Sequence, residues 1–155
     1  MSETKRKAAN PFAISCPVGG SIISLVESHS KAVAEHLRSI GLYRGQEMIL
    51  KVLAETGGCS QNELKNRLCL DHSTVAKSVG RMEKSGFLTR EKSPSDRRIT
   101  IVKITAEGEK RLEASEEIWN GMEKQALNGL TETDIQEFLR ISAQITENLS
   151  TSLKP

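Results

Sequence analysis

The sequence has few of the features that mark secreted, membrane-spanning or metal-binding proteins. It contains three cysteines among 155 residues, an odd number with no C-x-x-C pair, which argues against a disulfide framework or a zinc ribbon. No stretch approaches the roughly 18 consecutive apolar residues that a membrane-spanning helix needs. The first residues lead into no apolar segment, so we expect no secretory signal. These absences predict a soluble protein of the reducing cytoplasm.

Signatures of catalysis are missing as well. The sequence has no glycine-rich phosphate loop, no metal-site spacing and no pairing of a nucleophile with a base, so we expect no enzyme, no cofactor and no metal. Hydrophobic residues still make up 37% of the chain, which is too many for a disordered protein and suits one globular domain. Residues 1–17 are polar and basic and are interrupted by Pro11 and Pro17. We interpret them as a flexible arm before a single domain at 18–155.

Positive charge is concentrated in the middle of the chain. The net charge is only +2, but residues 60–103 carry ten basic side chains against five acidic ones, and residues 106–155 carry five against ten. A contiguous basic segment is typical of a surface that binds a polyanion. An ordinary solvated face is the other interpretation, and charge alone does not decide between them.

Apolar residues at helical spacing predict six helices, whose starts carry recognisable capping residues. The helices are expected at about 19–40, 45–56, 61–68, 72–85, 106–128 and 132–149. Between the fourth and fifth helices the period changes, which predicts strands at 87–91 and 98–104 around a turn. The expected fold is mainly α with a small β-hairpin wing. A helix, a tight turn, a helix and a hairpin make residues 45–104 a winged helix-turn-helix.

The exposed face of the fourth helix has the composition of a DNA-reading surface. Short hydrogen-bonding side chains lie near its start and long cations follow one and two turns later, with no acidic residue between Asp71 and Glu83. The major groove admits one helix, and Arg, Lys and short polar groups read its base edges. The candidate DNA-binding residues of this helix are His72, Ser73, Thr74, Lys77, Ser78 and Arg81.

The tip of the predicted hairpin carries Asp96, Arg97 and Arg98. An arginine inserted into a narrow minor groove senses the shape and potential of the groove. Asp96, two residues before Arg98, can hold the guanidinium through a charge-assisted hydrogen bond. An exposed ion pair at a turn is the alternative interpretation.

Three segments together resemble the MarR family, the multiple-antibiotic-resistance regulators. They run from Leu70 to Arg90, from Ser93 to Arg98, and over Ile104-Thr-Ala-Glu-Gly108. The resemblance covers roughly residues 20–150 and implies a repressor or activator that binds a pseudo-palindromic double-stranded DNA operator as a homodimer. By position it makes Arg98 the minor-groove arginine and Asp96 its support. Tyr43 departs from the family, which often has threonine there.

The resemblance also implies that residues 18–42 and 106–155 form the dimer. The residues themselves agree. The first and last helices carry more apolar side chains than a core of three short helices and a hairpin can bury, and a second copy of the chain would bury the rest. Two-fold symmetry would then place the two half-sites about one helical turn apart.

The sensing function is the least specified. Family members respond to small-molecule effectors or to oxidants, and candidate ligand residues here are His36, Tyr43, Met48 and Trp119, each of which also suits plain core or surface. Cys16 is the candidate redox residue, although reactivity would require a lowered thiol pKa. Cys69, between two leucines, is expected to be buried. A winged helix that contacts only proteins remains the alternative to DNA binding.

Overall fold

The structure is a computed structural model that describes residues 15–152. Within this range it has six helices and three short strands, which confirms the predicted mainly α, winged-helix architecture. The elements are α1 (Pro17–Ser39), α2 (Gln46–Thr56), β1 (Cys59–Ser60), α3 (Gln61–Leu68), α4 (His72–Lys84), β2 (Leu88–Lys92), β3 (Thr100–Ile104), α5 (Ala106–Ala126) and α6 (Glu132–Ser152). Of the predicted arm, residues 1–14 lie outside the described residues, and Pro17 is the first residue of α1.

The wing belongs to a sheet of three strands, one more than predicted. β2 and β3 pair antiparallel from Leu88 opposite Ile104 to Lys92 opposite Thr100. β1 adds to the other edge of β3, so the strand order is β1-β3-β2. A strand of two residues leaves no alternating pattern in a sequence, which is why β1 was not predicted.

The helix-turn-helix is defined by two capped helix starts. The Ser60 hydroxyl accepts a hydrogen bond from the Glu63 backbone N–H at 3.2 Å, and the Glu63 carboxylate accepts one from the Ser60 backbone N–H at 2.8 Å. This is the predicted capping box at the start of α3. Asp71 caps α4 by accepting from the Thr74 backbone N–H at 2.9 Å. Both predicted caps are confirmed.

α4 ends in a Schellman motif around Gly86. The Gly86 N–H donates to the Glu83 carbonyl at 3.0 Å, and the Phe87 N–H donates to the Met82 carbonyl at 2.9 Å. Gly86 adopts the predicted left-handed conformation with φ +75°. The prediction that Phe87 starts the next strand is wrong, because its N–H completes the helix cap and β2 begins at Leu88.

The chain divides into two compact units, with the boundary inside α5 between Trp119 and Asn120. In the first unit, the apolar faces of α2, α3 and α4 are buried together with residues of α1 and the sheet. The side chains that are fully buried there include Leu37, Leu42, Ile49, Leu50, Leu53, Leu64, Val75, Val79, Met82, Leu88 and Val102. The predicted stripe of Val75, Val79 and Met82 on α4 is therefore confirmed. In the second unit, α6 begins at a confirmed Thr131 cap, whose hydroxyl accepts from the Asp134 N–H at 3.2 Å.

The prediction that Cys69 is buried is wrong. Cys69 is exposed, because it is the C-terminal cap of α3 and adopts a left-handed φ of 51° that turns it out of the leucine face. Cys59 is the buried cysteine, and burial raises the pKa of its thiol.

One carboxyl group is buried among the apolar residues of the first unit. Glu47, in the first turn of α2, is only 5% exposed, and its Oε2 has no hydrogen-bond partner among the described residues. Burial raises the pKa of Glu47 above its ordinary value, although nearby backbone N–H groups and Arg44 oppose the shift.

Candidate nucleic-acid interface

The first turn of α4 and the wing meet in one open cleft. His72, the first residue of α4, and Arg98, in the turn between β2 and β3, both line it. The cleft has a volume of about 330 Å³. The two regions that the sequence singled out separately are therefore neighbours in space.

Besides the cap residue Ser60, three further polar residues line this cleft and were not predicted. Gln61 and Asn62 begin α3, and Thr100 begins β3. The capping box at Ser60 could have indicated Gln61 and Asn62. It places the two residues after the cap on the first turn of α3, beside the backbone N–H groups that the helix leaves unpaired. The cleft thus combines amide, hydroxyl, imidazole and guanidinium groups.

The predicted residues of α4 lie on its outer face. His72, Ser73, Thr74, Lys77 and Arg81 are exposed and Ser78 is half-buried. Two of their hydroxyls are already occupied as donors, because Ser73 donates to the Asp71 carboxylate at 2.6 Å and Thr74 donates at 2.5 Å. The remaining lone pairs of these hydroxyl oxygens can accept hydrogen bonds, for example from the amino groups of adenine or cytosine.

Asp71 is held ionised by the same contacts. The hydroxyls of Ser73 and Thr74 and the Thr74 backbone N–H keep the pKa of Asp71 well below its usual range. A carboxylate fixed in this way stabilises the positive end of the helix dipole. Its role is therefore to order the first turn of α4.

At the wing, the expected contact between aspartate and arginine is present. The Asp96 carboxylate accepts from the Arg98 backbone N–H at 2.9 Å and from Arg98 Nε at 3.3 Å. The Arg98 side chain is nevertheless 92% exposed. Asp96 fixes the base of the side chain, and the two terminal amino groups of the guanidinium remain available to a ligand. Arg97 beside it is also exposed.

Carboxylates neutralise only part of the basic segment. Arg90 on β2 pairs with Glu83 on α4, and Lys103 on β3 pairs with Glu91 on β2. The first pair lowers the pKa of Glu83 and raises that of Arg90. In the part of the chain that the structure describes, no ion pair engages the other cations of this segment apart from Arg98, which are Lys65, Arg67, Lys77, Arg81, Lys84, Lys92 and Arg97. The uncompensated charge therefore extends over α3, α4 and the wing, and it includes the outer face of α4 and the wing tip.

The junction between the wing and α5 is tied to the end of α4. The Thr105 hydroxyl donates to the Gly86 carbonyl at 2.7 Å and accepts from the Gly108 N–H at 3.1 Å, which confirms Thr105 as the cap of α5. The Thr105 backbone N–H donates to the Phe87 carbonyl at 3.1 Å. These bonds fix where the sheet leaves α4.

Two of the four candidate ligand residues make ring contacts with residues outside that set. The Trp119 ring lies 5.6 Å from the His29 ring, centroid to centroid, and the Tyr43 ring lies beneath the guanidinium of Arg81. His36 and Met48 are exposed. A common ligand pocket for the four stays a prediction.

The candidate redox residue Cys16 immediately precedes α1 and is exposed. Exposure makes its thiol accessible to an oxidant, and its redox role stays a prediction. Residues 15–152 contain no group of three or more His, Cys, Asp or Glu side chains suited to a metal ion. No helix in the same range is long and apolar enough to span a membrane.

Comparison with known proteins tests the family resemblance that the sequence showed. The model of the MarR family matches residues 42–100. The transcriptional repressor IacR of Pseudomonas putida is 31% identical over 115 residues, which are 74% of this chain and 69% of IacR.

Two solved structures share the fold. A mutant MarR of Escherichia coli complexed with operator DNA superposes with a TM-score of 0.71 at 19% identity, covering 88% of this chain and 98% of that one. BpsR of Bordetella bronchiseptica, whose DNA binding is regulated by 6-hydroxynicotinic acid, gives 0.71 at 20% identity with the same coverage. The family model, the length and identity of the match to IacR, and the shared winged-helix fold agree, and the chain belongs to the MarR family.

Proposed function

We propose that this protein is a sequence-specific regulator of transcription that binds double-stranded DNA as a homodimer. α4 enters the major groove and the wing enters the adjacent minor groove. The observation that carries the proposal is the cleft shared by His72 and Arg98. The same helix face and wing tip carry Lys77, Arg81 and Arg97, which are in no ion pair among the described residues. An outer helix face and a basic tip side by side match the alternation of grooves along a duplex.

The proposed contacts divide into three classes, to phosphates, to base edges and to the minor groove. Lys77 and Arg97 are long, exposed cations that suit phosphate oxygens, which position a protein without reading sequence. His72, Ser73, Thr74, Ser78 and Arg81 are proposed to face base edges. Arg98 senses the narrow minor groove, with Asp96 fixing its backbone and Nε.

The homodimer is proposed from apolar side chains that the monomer leaves exposed. The first part of α1, around Ile22 and Val26, is exposed, whereas Val33 and Leu37 further along are buried. α6 carries a second exposed set, consisting of Phe138, Leu139, Ile141 and Leu149. Large apolar side chains left exposed on each of these helices are typical of surfaces that a partner covers. A second copy of the chain is the proposed partner, and its two-fold axis gives a pseudo-palindromic operator.

We further propose that the protein represses transcription and that a small-molecule effector releases it from DNA. The relative IacR is a repressor, and BpsR has its DNA binding regulated by 6-hydroxynicotinic acid. His36, Tyr43, Met48 and Trp119 remain the candidate ligand residues, and oxidation of Cys16 is the alternative trigger. Activation in place of repression would show as loss of transcription when the gene is deleted.

Selection from a random duplex library tests the proposal and identifies the operator. Full-length protein is incubated with the pool at low salt, bound fragments are amplified, and enriched sequences are aligned. We expect an inverted repeat whose two halves are about one helical turn apart. A pool that never enriches would contradict DNA reading and favour a winged helix that binds proteins.

A further inference from the structure

An exposed aromatic ring lies against a cation of the DNA-facing helix. The guanidinium carbon of Arg81, in the last turn of α4, lies 6.0 Å from the centroid of the Tyr43 ring. Tyr43 precedes α2 and is 59% exposed. We propose that Tyr43 is a positioning residue for DNA recognition, which holds the Arg81 guanidinium over its ring so that Arg81 is presented to the duplex. The inference rests on the proposed function, and it makes Tyr43 a determinant of DNA specificity that acts through Arg81.

The backbone around Tyr43 is fixed by its own hydrogen bonds. The Tyr43 N–H donates to Oε1 of Gln46 at 3.0 Å, and the Gln46 N–H donates to the Tyr43 carbonyl at 2.9 Å. Gln46 is only 4% exposed, so its amide is held in place by the surrounding side chains. The ring therefore projects from an ordered turn, and its exposure is a property of that turn.

The type of contact matters for recognition. A carboxylate that held Arg81 would offset its charge and occupy an N–H donor, as Glu83 does for Arg90 on β2. An aromatic face attracts the cation while leaving all five guanidinium N–H donors free. Arg81 can then make the bidentate contact to guanine for which arginine is suited, or a contact to phosphate.

The ring also reduces the entropic cost of binding. A free arginine loses rotamer freedom when it is immobilised at an interface, and this loss weakens binding. An arginine that already rests on a ring has lost part of that freedom in the unbound protein. Tyr43 is thus expected to affect affinity through Arg81, with no contact of its own to DNA.

The test is a double-mutant cycle on the selected operator duplex. The proteins are the wild type, Tyr43→Phe, Tyr43→Leu, Arg81→Ala and the double variant Tyr43→Leu with Arg81→Ala. We expect Tyr43→Leu to weaken binding about 2- to 5-fold per protomer, the range of an exposed cation–π contact. Tyr43→Phe keeps the aromatic ring, so it should bind the duplex with wild-type affinity. In the Arg81→Ala background, Tyr43→Leu has no further effect.

Two further measurements separate positioning from folding. Thermal melting of each variant shows whether Tyr43→Leu merely destabilises the protein. A panel of duplexes with single base changes shows at which operator positions Arg81→Ala reduces the preference for one base. Tyr43→Leu should reduce the base preference at the same positions, to a smaller extent. In the free protein, NMR should show Arg81 side-chain protons shifted upfield by the ring and restored to ordinary values in Tyr43→Leu.

The possible failures are distinguishable. Equal binding by the wild type and Tyr43→Leu, or additive losses in the double variant, would overturn the role of Tyr43 while leaving DNA binding intact. A loss with Tyr43→Phe would overturn it too, because the hydroxyl and not the ring would then be responsible. A wild type that binds no duplex would overturn the proposed function itself, and the inference with it.

Discussion

The backbone of Gly108 packs directly against the carbonyl group of Phe87. A Cβ built at position 108 would overlap the Phe87 carbonyl oxygen and would lie 2.8 Å from Cγ1 of Ile104. The same carbonyl accepts the Thr105 N–H, so it cannot turn away without breaking that bond. Glycine is therefore required where α5 passes the end of α4.

Gly108→Ala is expected to destabilise the protein by about 1–3 kcal/mol, the usual cost of forcing extra atoms into a packed site. Gly80→Ala is the matched control, because Gly80 lies inside α4 and a Cβ there meets no atom within 4 Å. That change should stabilise the protein by about 0.5–1 kcal/mol through helix propensity. Chemical denaturation measures both values, and equal effects of the two changes would contradict the close approach.

Arg98→Ala should weaken operator binding about 5- to 150-fold, the range expected when an arginine that reads DNA is removed. The melting temperature should stay unchanged, because the side chain is 92% exposed. Lys110→Ala removes an exposed cation of α5 outside the interface, and it therefore controls for the change in net charge. Asp96→Ala should cause a smaller loss than Arg98→Ala, since it frees the arginine but does not remove it. Wild-type affinity of Arg98→Ala in a gel shift would refute the wing role.

Lys77→Ala is expected to weaken binding to about the same degree on every duplex, because lysine–phosphate ion pairs carry no sequence information. The dependence of log K on log salt should become shallower by about one for each phosphate that the variant no longer neutralises. Both quantities come from fluorescence anisotropy at several salt concentrations. Selective weakening on one sequence would instead make Lys77 a base-reading residue.

Glu47→Gln should change how stability depends on pH. The folded protein raises the pKa of Glu47 above its ordinary value of 4.5, because burial disfavours the charged form. The raised pKa contributes to the free energy of unfolding, and this contribution is fully present below the pKa of the unfolded chain, about 4.5. It is lost as pH rises from there through the pKa of the folded protein. Wild type should therefore lose stability relative to Glu47→Gln over that window. Parallel curves of unfolding free energy against pH would show that the buried carboxyl does not titrate abnormally.

The sequence was most informative where structure is decided locally. Ser60, Asp71 and Thr131 cap the helices that they were predicted to cap, because a capping residue acts on backbone groups two or three positions away. Gly86 takes the left-handed conformation for a similarly local reason. The stripe on α4 was predictable because its period of 3.6 residues appears directly in the sequence.

Features that depend on distant residues were not predictable in this way. β1 exists because Cys59 and Ser60 pair with Val102 and Ile101 more than 40 positions later. The contact between Tyr43 and Arg81 was not predictable either, since nothing in the neighbourhood of Tyr43 indicates that Arg81 of α4 lies over its ring. The exposure of Cys69 follows from a left-handed cap conformation, which is rare for a residue with a side chain.

The most direct test of DNA binding is the salt dependence of affinity on the selected duplex. Each phosphate neutralised by a lysine or arginine contributes a slope of about −0.9 to log K against log salt. Two protomers that each use several cations of α4 and the wing should give a steep fall, shallower in Lys77→Ala and Arg98→Ala. An affinity that stays constant as salt rises would contradict the account, because no cation of this surface would then be meeting a phosphate.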